Sequence, residues 1–120
     1  METFSSVIDG TSNTLLVGEY HTVTRNRRRT FWAYTYTSYN QSSITLGQSR
    51  MLIADYDRCV AIGGSGDSNV CKRGFGALHS GGAMNFAFAD GGVRSISPNI
   101  NMRTLGSLAS IQRGETVGEY

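Results

Sequence analysis

Alternation of large and small side chains is the clearest local pattern in the chain. Residues 84–89 alternate large apolar residues with small or polar ones, and residues 93–97 resume the alternation after the dipeptide Asp90-Gly91. A period of two is typical of a strand with one buried face, and Asp-Gly favours a tight hairpin turn. The sequence therefore predicts a β-hairpin in this region.

Other segments also have the character of strands. Residues 15–20 form a short apolar run directly after a turn-forming cluster at residues 9–14, which predicts a buried strand. Residues 31–37 alternate aromatic and small side chains, which predicts a strand with one aromatic face. Two weaker strand predictions fall at residues 51–54 and 115–120.

A single segment has helical spacing. Apolar residues recur with that spacing from Met102 to Leu108, and Gly114 follows as a stop signal. Asn101 precedes the run as an N-cap, a position that asparagine favours because its side chain accepts a backbone N–H. The pattern predicts one short helix near residues 102–111. Long loops are predicted at residues 38–50 and 55–76.

The composition supports the same architecture. The chain has 120 residues, of which 39% are hydrophobic, 17% charged and 15 glycine. This length supports one core, and the low charge with abundant glycine and serine favours strands and turns over helical bundles. We expect one domain over residues 1–120, of the α+β class, with a mainly antiparallel sheet, a C-terminal hairpin, one short helix and long loops.

Charge and hydropathy exclude some functions. The formal net charge is +2, which is too small to indicate a nucleic-acid partner. No apolar run approaches the roughly 18 residues of a membrane span, and the first residues lack the blocks of a signal peptide. Two alternatives remain at this point: a soluble cytoplasmic chain, or one whose targeting segment is absent from the sequence.

Two cysteines flank a glycine-rich loop. Cys59 and Cys71 lie twelve residues apart with no CxxC motif, and the only histidines are His21 and His79. A four-ligand zinc site is therefore poorly supplied. A disulfide would fit an exported protein, whereas two buried free thiols would fit a cytosolic one.

His79 and Asp90 invite a catalytic hypothesis. His79 would act as general base, Asp90 would orient it, and a nearby serine would be the nucleophile. Serine is so common here that this coincidence is expected by chance, and no nucleophile elbow occurs. The structural interpretation is stronger: Asp90 bonds turn amides, and His79 holds its loop against the sheet. We therefore expect no enzymatic activity.

Other side chains suggest ligands. The aromatic residues Trp32, Tyr34 and Tyr36 could form a platform for a glycan polymer or, with the arginines before them, for single-stranded nucleic acid. Aromatic strand faces are more often core, so we expect no nucleic-acid partner. Loop carboxylates could bind calcium, but their spacing does not reproduce an EF-hand, and solvated loop acids explain them better. These carboxylates belong to Asp55, Asp57, Asp67 and Asp90.

Two longer stretches carry a family resemblance. They read IDGTSNTLLVGE at residues 8–19 and HSGGA at residues 79–83, continuing to FADGGVR at residues 88–94. They resemble the bacterial family of pilin-like secreted proteins that have a prepilin-type cleavage and methylation helix and a processing-associated H-X9-DG motif. The segments LGSL (105–108) and GETVGE (114–119) are similar to its closing region. Residues 21–74 match the family poorly.

The resemblance implies an exported, pseudopilin-like α+β domain with a structural role in a type II secretion or pilus-like assembly. Its partners would be protein subunits, through self-association or other pilin-like chains. It implies no catalytic residues and no cofactor. The motif positions, which we expect to shape turns of the fold, are Asp9, Gly10, Asn13, His79, Gly81, Gly82, Asp90 and Gly91.

The chain departs from the family pattern in two ways. Ten residues rather than nine separate His79 from Asp90, which suggests that Met84 is an insertion forming a bulge in the first hairpin strand. The hydrophobic pilin helix is also missing from this sequence. We therefore expect a pilin-like globular domain whose only route to a membrane would be that missing helix.

Overall fold

A computed structural model describes residues 3–20, 42–44, 48–63 and 69–111. Short 3-10 helices lie at Phe4–Ser6, Thr11–Asn13, Ser49–Leu52 and Ser80–Gly82. None of the helices in the described part of the chain has the length and hydropathy of a membrane span. The strands and α-helices in chain order are β1 (Leu15–Gly18), α1 (Tyr56–Gly63), α2 (Asn69–Lys72), β2 (Met84–Phe88), β3 (Val93–Ile96) and α3 (Met102–Leu108).

The three strands form one antiparallel sheet in the order β1-β2-β3. The predicted hairpin is confirmed as β2 and β3, and the predicted strand at residues 15–20 is confirmed as the shorter β1. With its short helices, the fold is α+β as expected. Two other strand predictions, at residues 31–37 and 115–120, lie outside the described residues.

The hairpin register corrects the predicted bulge at Met84. Met84 lies opposite Ile96 in an uninterrupted ladder, and its side chain is fully buried. The irregularity is in β1 instead, where the pairing shifts between Leu15 and Val17, so that Leu16 is the extra residue. An extra residue in one strand of an antiparallel pair is a β-bulge.

The core lies on one face of the sheet. Every second residue of β2 is buried, namely Met84, Phe86 and Phe88, as alternation in a half-buried strand requires. They share one apolar cluster with two residues of α3, Leu105 and Leu108. The opposite face of the sheet therefore carries the alternate side chains of β2, Asn85 and Ala87, which are only partly buried.

The helix predicted at residues 102–111 is confirmed as α3, which ends earlier. The Asn101 side chain accepts a hydrogen bond from the backbone N–H of Arg103 at 2.8 Å, so the N-cap prediction is confirmed. The last predicted turn is absent from the α-helix, which ends at Leu108.

The prediction of a single helix was wrong, and so were those of a strand at 51–54 and a loop throughout 55–76. Residues 49–52 form a 3-10 helix, and α1 and α2 occupy much of the predicted loop. α1 begins where Asp55 accepts the backbone N–H of Arg58 at 3.0 Å. This N-cap, followed by Tyr56 and Cys59 on one buried face, was the helical signal in the sequence.

Candidate functional site

A polar network joins β1 to the start of β2. The Glu19 carboxylate lies 3.0 Å from Nε2 of His79 and accepts the backbone N–H of Asn85 at 2.6 Å. The Asn85 side-chain amide also donates to Glu19, at 3.3 Å. The two strands bring these groups together, because the Glu19 backbone N–H donates to the Asn85 carbonyl at 3.1 Å.

The electrostatics of this network favour a charged Glu19. The backbone N–H of Asn85 and, next, the imidazole of His79 hold the pKa of the Glu19 carboxyl below its ordinary value, since both stabilise the carboxylate. Partial burial opposes this effect and is outweighed. The Glu19 side chain is 35% exposed and the His79 side chain 54%, so the pair can be reached from solvent.

The network continues across the sheet to β3. Ser95 lies opposite Asn85, and its hydroxyl donates to the Asn85 side-chain oxygen at 2.6 Å. Glu19, Asn85 and Ser95 thus form a hydrogen-bonded row across the face opposite the core. Directly opposed polar pairs of this kind stabilise antiparallel sheets.

An apolar row lies beside the polar one on the same outer face. Val17 on β1 lies opposite Ala87, which in turn lies opposite Val93 on β3. Val17 is 63% exposed and Val93 68%, and Leu16 in the bulge is 69% exposed. We call Leu16, Val17, Ala87 and Val93 the outer apolar row. The face thus has one polar end and one apolar end.

The hairpin tip contacts the turn before β1. The backbone N–H groups of Ala89 and Asp90 donate to the carbonyls of Thr14 (2.9 Å) and Thr11 (3.1 Å), respectively. The Asp90 side chain accepts the backbone N–H of Gly92 at 2.8 Å, which is the turn role expected for it. The two motif stretches therefore meet twice, at the tip of the hairpin and at the Glu19–His79 pair.

The motif glycines hold backbone conformations that other residues rarely adopt. In the described chain, positive φ angles occur only at glycines: Gly10 (88°), Gly81 (83°), Gly82 (71°) and Gly91 (84°). These were all among the positions expected to shape turns. Asn13 belongs to the same turn as Gly10, whose carbonyl accepts the Asn13 backbone N–H at 3.0 Å.

Asp9 closes the fold on the other side of this turn. Its side chain is only 9% exposed, and it accepts the hydroxyl of Ser110 at 2.7 Å across 101 residues of chain. The neighbouring backbone N–H of Ile8 donates to the carbonyl of Ile111 at 2.9 Å. This motif aspartate thus ties the segment before β1 to the segment after α3.

The arrangement does not bring the hypothetical catalytic groups together. His79 contacts the start of β2, whereas Asp90 follows its end, so Asp90 does not orient the imidazole. The partner of His79 is Glu19. The Ser95 hydroxyl donates to Asn85 and not to the histidine.

The calcium hypothesis gains no support from the described acids. Among the described residues, no three histidine, cysteine, aspartate or glutamate side chains come close enough to share a metal ion. Asp55 caps α1, and Asp90 binds its own turn. Asp67 and the proposed platform of Trp32, Tyr34 and Tyr36 lie outside the described residues.

A disulfide joins Cys59 in α1 to Cys71 in α2, with Cα atoms 5.9 Å apart. Of the two alternatives left open by the sequence, the disulfide is therefore confirmed. Both cysteines are buried in a small apolar cluster with Tyr56, separate from the cluster under the sheet. A disulfide fits an oxidising environment.

A buried arginine lies against this disulfide. Arg50 is only 7% exposed. Its Nη1 donates to the Cys59 carbonyl at 3.2 Å and contacts Sγ of Cys71 at 3.4 Å. A Cβ at position 63 would overlap the guanidinium, so Gly63 provides the room that this arginine occupies.

A groove next to Arg50 has a volume of 460 Å³ and is lined mainly by apolar side chains, among them Ile53, Ile62 and Ile100. It shares no residue with the Glu19–His79 network. The groove and the network are therefore separate features of the surface.

Four of these residues are not among the site residues predicted from the sequence. Glu19 lay within a recognised motif stretch, but its partner 60 residues away could not be inferred. Asn85 and Ser95 were visible only as polar positions alternating with core residues, which is the signal of an outer face. Arg50 lies at the end of the predicted loop at residues 38–50, and no pattern in the sequence indicates that it is buried.

Comparison with known proteins places the chain in a family. Residues 2–103 match the sequence profile of the family described as Protein of unknown function (DUF1559). No curated protein and no solved structure matches the chain. The matched span contains both motif stretches that meet in the fold. The chain therefore belongs to the DUF1559 family, that of the H-X9-DG pilin-like proteins.

Proposed function

We propose that this chain is an exported, non-enzymatic structural protein that associates with further copies of itself, as a pseudopilin-like subunit of a type II secretion or pilus-like surface assembly. Membership of the DUF1559 family supports a pilin-like role. The disulfide supports export to an oxidising compartment, because such bonds persist there.

The outer apolar row carries the proposal. Val17 and Val93 flank Ala87 on one face, and both are about two-thirds exposed. Contiguous exposed apolar side chains are typical of interaction sites. The adjoining polar row is fixed by hydrogen bonds between its own side chains, so this face is ordered before any partner binds. An ordered face loses less conformational entropy on association.

A second copy of the chain is the partner that suits this face. The row is a strip of aliphatic side chains, so a twofold arrangement would place one strip against the other. Such isologous contacts are the commonest basis of protein dimers. The charged groups lie outside the strip: Glu19 pairs with His79 beyond the polar row, Asp90 bonds its own turn, and Arg94 lies on the core side of β3 opposite Phe86.

Sedimentation of the native chain over a wide concentration range tests the association. We expect the average mass to rise with concentration, and Val17→Lys and Val93→Lys to keep the protein monomeric. Ile62→Lys is the matched control, because Ile62 is 60% exposed but lines the groove beside Arg50, which contains no residue of the outer apolar row. A strict monomer at the highest concentration, or association lost only with Ile62→Lys, would contradict the proposal.

Location in the native cell tests the assembly role separately. We expect antibodies to detect the protein on intact cells or in sheared surface material, with its disulfide formed. Recovery with the cytosol and with two free thiols would exclude an exported subunit, whatever the sedimentation result.

A further inference from the structure

Arg50 contacts the two cysteines of the disulfide at different atoms. Nη1 of Arg50 meets Cys59 at the backbone carbonyl (3.2 Å) but meets Cys71 at the sulfur (3.4 Å). Arg50 is buried, so its charge acts with little screening from solvent. A neighbouring cation favours the thiolate over the thiol, and the thiolate is the nucleophile in disulfide exchange.

We infer that Cys71 is the reactive thiol of the pair, activated by Arg50, and that the Cys59–Cys71 bond forms through a mixed disulfide on Cys71. The exposure of the two cysteines agrees with this order, because Cys71 is 6% exposed and Cys59 only 1%. Adjacent residues in the sequence do not account for a difference in reactivity between the two cysteines. Cys59 follows Arg58 and Cys71 precedes Lys72, so each cysteine has one adjacent basic residue.

The chemistry proceeds in two exchanges. The Cys71 thiolate attacks one sulfur of an incoming low-molecular-weight or protein disulfide, which forms the mixed disulfide and releases one thiol. Deprotonated Cys59 then attacks Sγ of Cys71, which closes the native bond and releases the second thiol. The incoming disulfide accepts both electrons, and the protons of the two cysteines end on the released thiols.

Arg50 is a positioning residue in this scheme, held in place before the thiols react. Its Nε donates to the side-chain oxygen of Gln48 at 3.1 Å, and Gly63 leaves space for the guanidinium. Its bond to the Cys59 carbonyl connects it to α1. The guanidinium therefore holds its place through contacts other than the one with Cys71.

Pulse alkylation of the reduced wild-type protein tests the inference. The protein is treated with a substoichiometric amount of iodoacetamide at neutral and at alkaline pH. Residues 59–72 form one tryptic peptide, so a second cut before Asp67 separates the cysteines for mass spectrometry. At neutral pH we expect Cys71 to be labelled about tenfold more than Cys59, with a smaller ratio at alkaline pH, where both thiols ionise.

The ratio of Cys71 labelling to Cys59 labelling, measured in denaturant and in variants, tests whether the folded position of Arg50 causes the preference. We expect a ratio near one in guanidinium chloride, and a similar ratio in folded Arg50→Met, with the pH–rate profile of Cys71 moved to higher pH. Arg50→Lys should retain most of the preference, and Arg58→Met, beside Cys59, should not change it. Equal labelling of the reduced wild type at neutral pH, or preference for Cys59, would overturn the inference, even if Arg50→Met fails to fold.

Discussion

Nε2 of His79 lies 3.0 Å from Oε1 of Glu19, which pairs a histidine before β2 with a glutamate 60 residues earlier, just after β1. At the other end of β2, the N–H of Asp90 bonds the carbonyl of Thr11. His79 and Asp90 therefore stand where β2 enters and leaves the sheet. In this chain the ten residues between them therefore span β2 and its flanking turns.

The Glu19–His79 pair should contribute measurably but modestly to stability. We expect His79→Ala to lower the free energy of unfolding by about 0.5 kcal/mol, because the pair is exposed to solvent. Glu19→Ala should cost more, about 1–2 kcal/mol, since it also leaves the Asn85 N–H without its carboxylate acceptor. Urea unfolding of both single variants and the double variant gives the coupling energy.

Leu78→Ala is the control for that cycle. Leu78 precedes His79 and is 73% exposed, so its removal tests the loop without changing the network. We expect no coupling between Leu78→Ala and Glu19→Ala. A coupling energy as large as that measured with His79 would mean that the loop as a whole, and not the imidazole, interacts with Glu19.

Acid should remove the contribution of Glu19. The pKa of this carboxyl is lower in the folded protein than its ordinary value of 4.5, so the ionised form favours the folded state. That contribution is fully present above about pH 4.5 and is lost as the pH falls through the folded pKa. Urea unfolding should show the stability difference between wild type and Glu19→Gln shrinking below this pH.

His79→Ala distinguishes the two causes of the lowered pKa. The backbone N–H of Asn85 is the larger cause and the imidazole the next. The variant should therefore weaken the acid dependence without abolishing it. A stability difference between wild type and Glu19→Gln that stays constant across the acid range would contradict the assignment.

Sequence patterns predicted the elements of this fold that depend on interactions between neighbouring residues. The alternation in β2 and the Asn101 cap were readable because burial and capping act on neighbouring residues. α1 and α2 are short, and short helices have little intrinsic stability. The disulfide connects them and the buried Arg50 contacts both. Apart from the Asp55 cap and the spacing of Tyr56 and Cys59, these contacts leave little periodic signal in the sequence.

The turn-shaping positions were predictable from the sequence, whereas the contacts of the Glu19–His79 network were not. The motif glycines with positive φ, such as Gly81, were identified from the sequence. The partner of His79 was not, because Glu19 reaches it through strand pairing that no local rule specifies. Asn85 and Ser95 complete the network through register alone, and register depends on the whole hairpin.

Substitution of Gly18 and substitution of Gly91 should destabilise the fold for different reasons. A Cβ on Gly18 would overlap the Phe86 ring and lie 2.8 Å from Phe75, so Gly18→Ala should cost about 1–3 kcal/mol through overpacking. Gly91 has open space but φ of 84°. Gly91→Ala should therefore cost about 1 kcal/mol through backbone strain.

Asparagine separates the two mechanisms, because it tolerates the left-handed region better than alanine does. We expect Gly91→Asn to be more stable than Gly91→Ala, and Gly18→Asn to be less stable than Gly18→Ala. Thermal unfolding followed by circular dichroism measures all four variants. The same order of asparagine and alanine at both positions would show that one mechanism governs both.

Asp9 and Ser110 connect the segment before β1 with the segment after α3. The hydroxyl of Ser110 donates to the Asp9 carboxylate at 2.7 Å, and Asp9 has further interactions. We expect Ser110→Ala to cost about 1 kcal/mol, because the buried Asp9 carboxylate loses one of its partners, and Asp9→Ala to cost about 2–3 kcal/mol, because it removes every interaction of that carboxylate.

Ser107→Ala provides the matched control for this connection. Its hydroxyl bonds the Arg103 carbonyl at an exposed position one turn earlier in α3, so its loss should change stability by less than about 0.5 kcal/mol. Hydrogen exchange adds a local measurement, because the Ile8 N–H bonds the Ile111 carbonyl beside the pair. That amide should exchange faster in Ser110→Ala and unchanged in Ser107→Ala. Equal unfolding energies and equal exchange in the two variants would mean that Asp9 is held by its other contacts. Ser110 would then not connect the segment before β1 with the segment after α3.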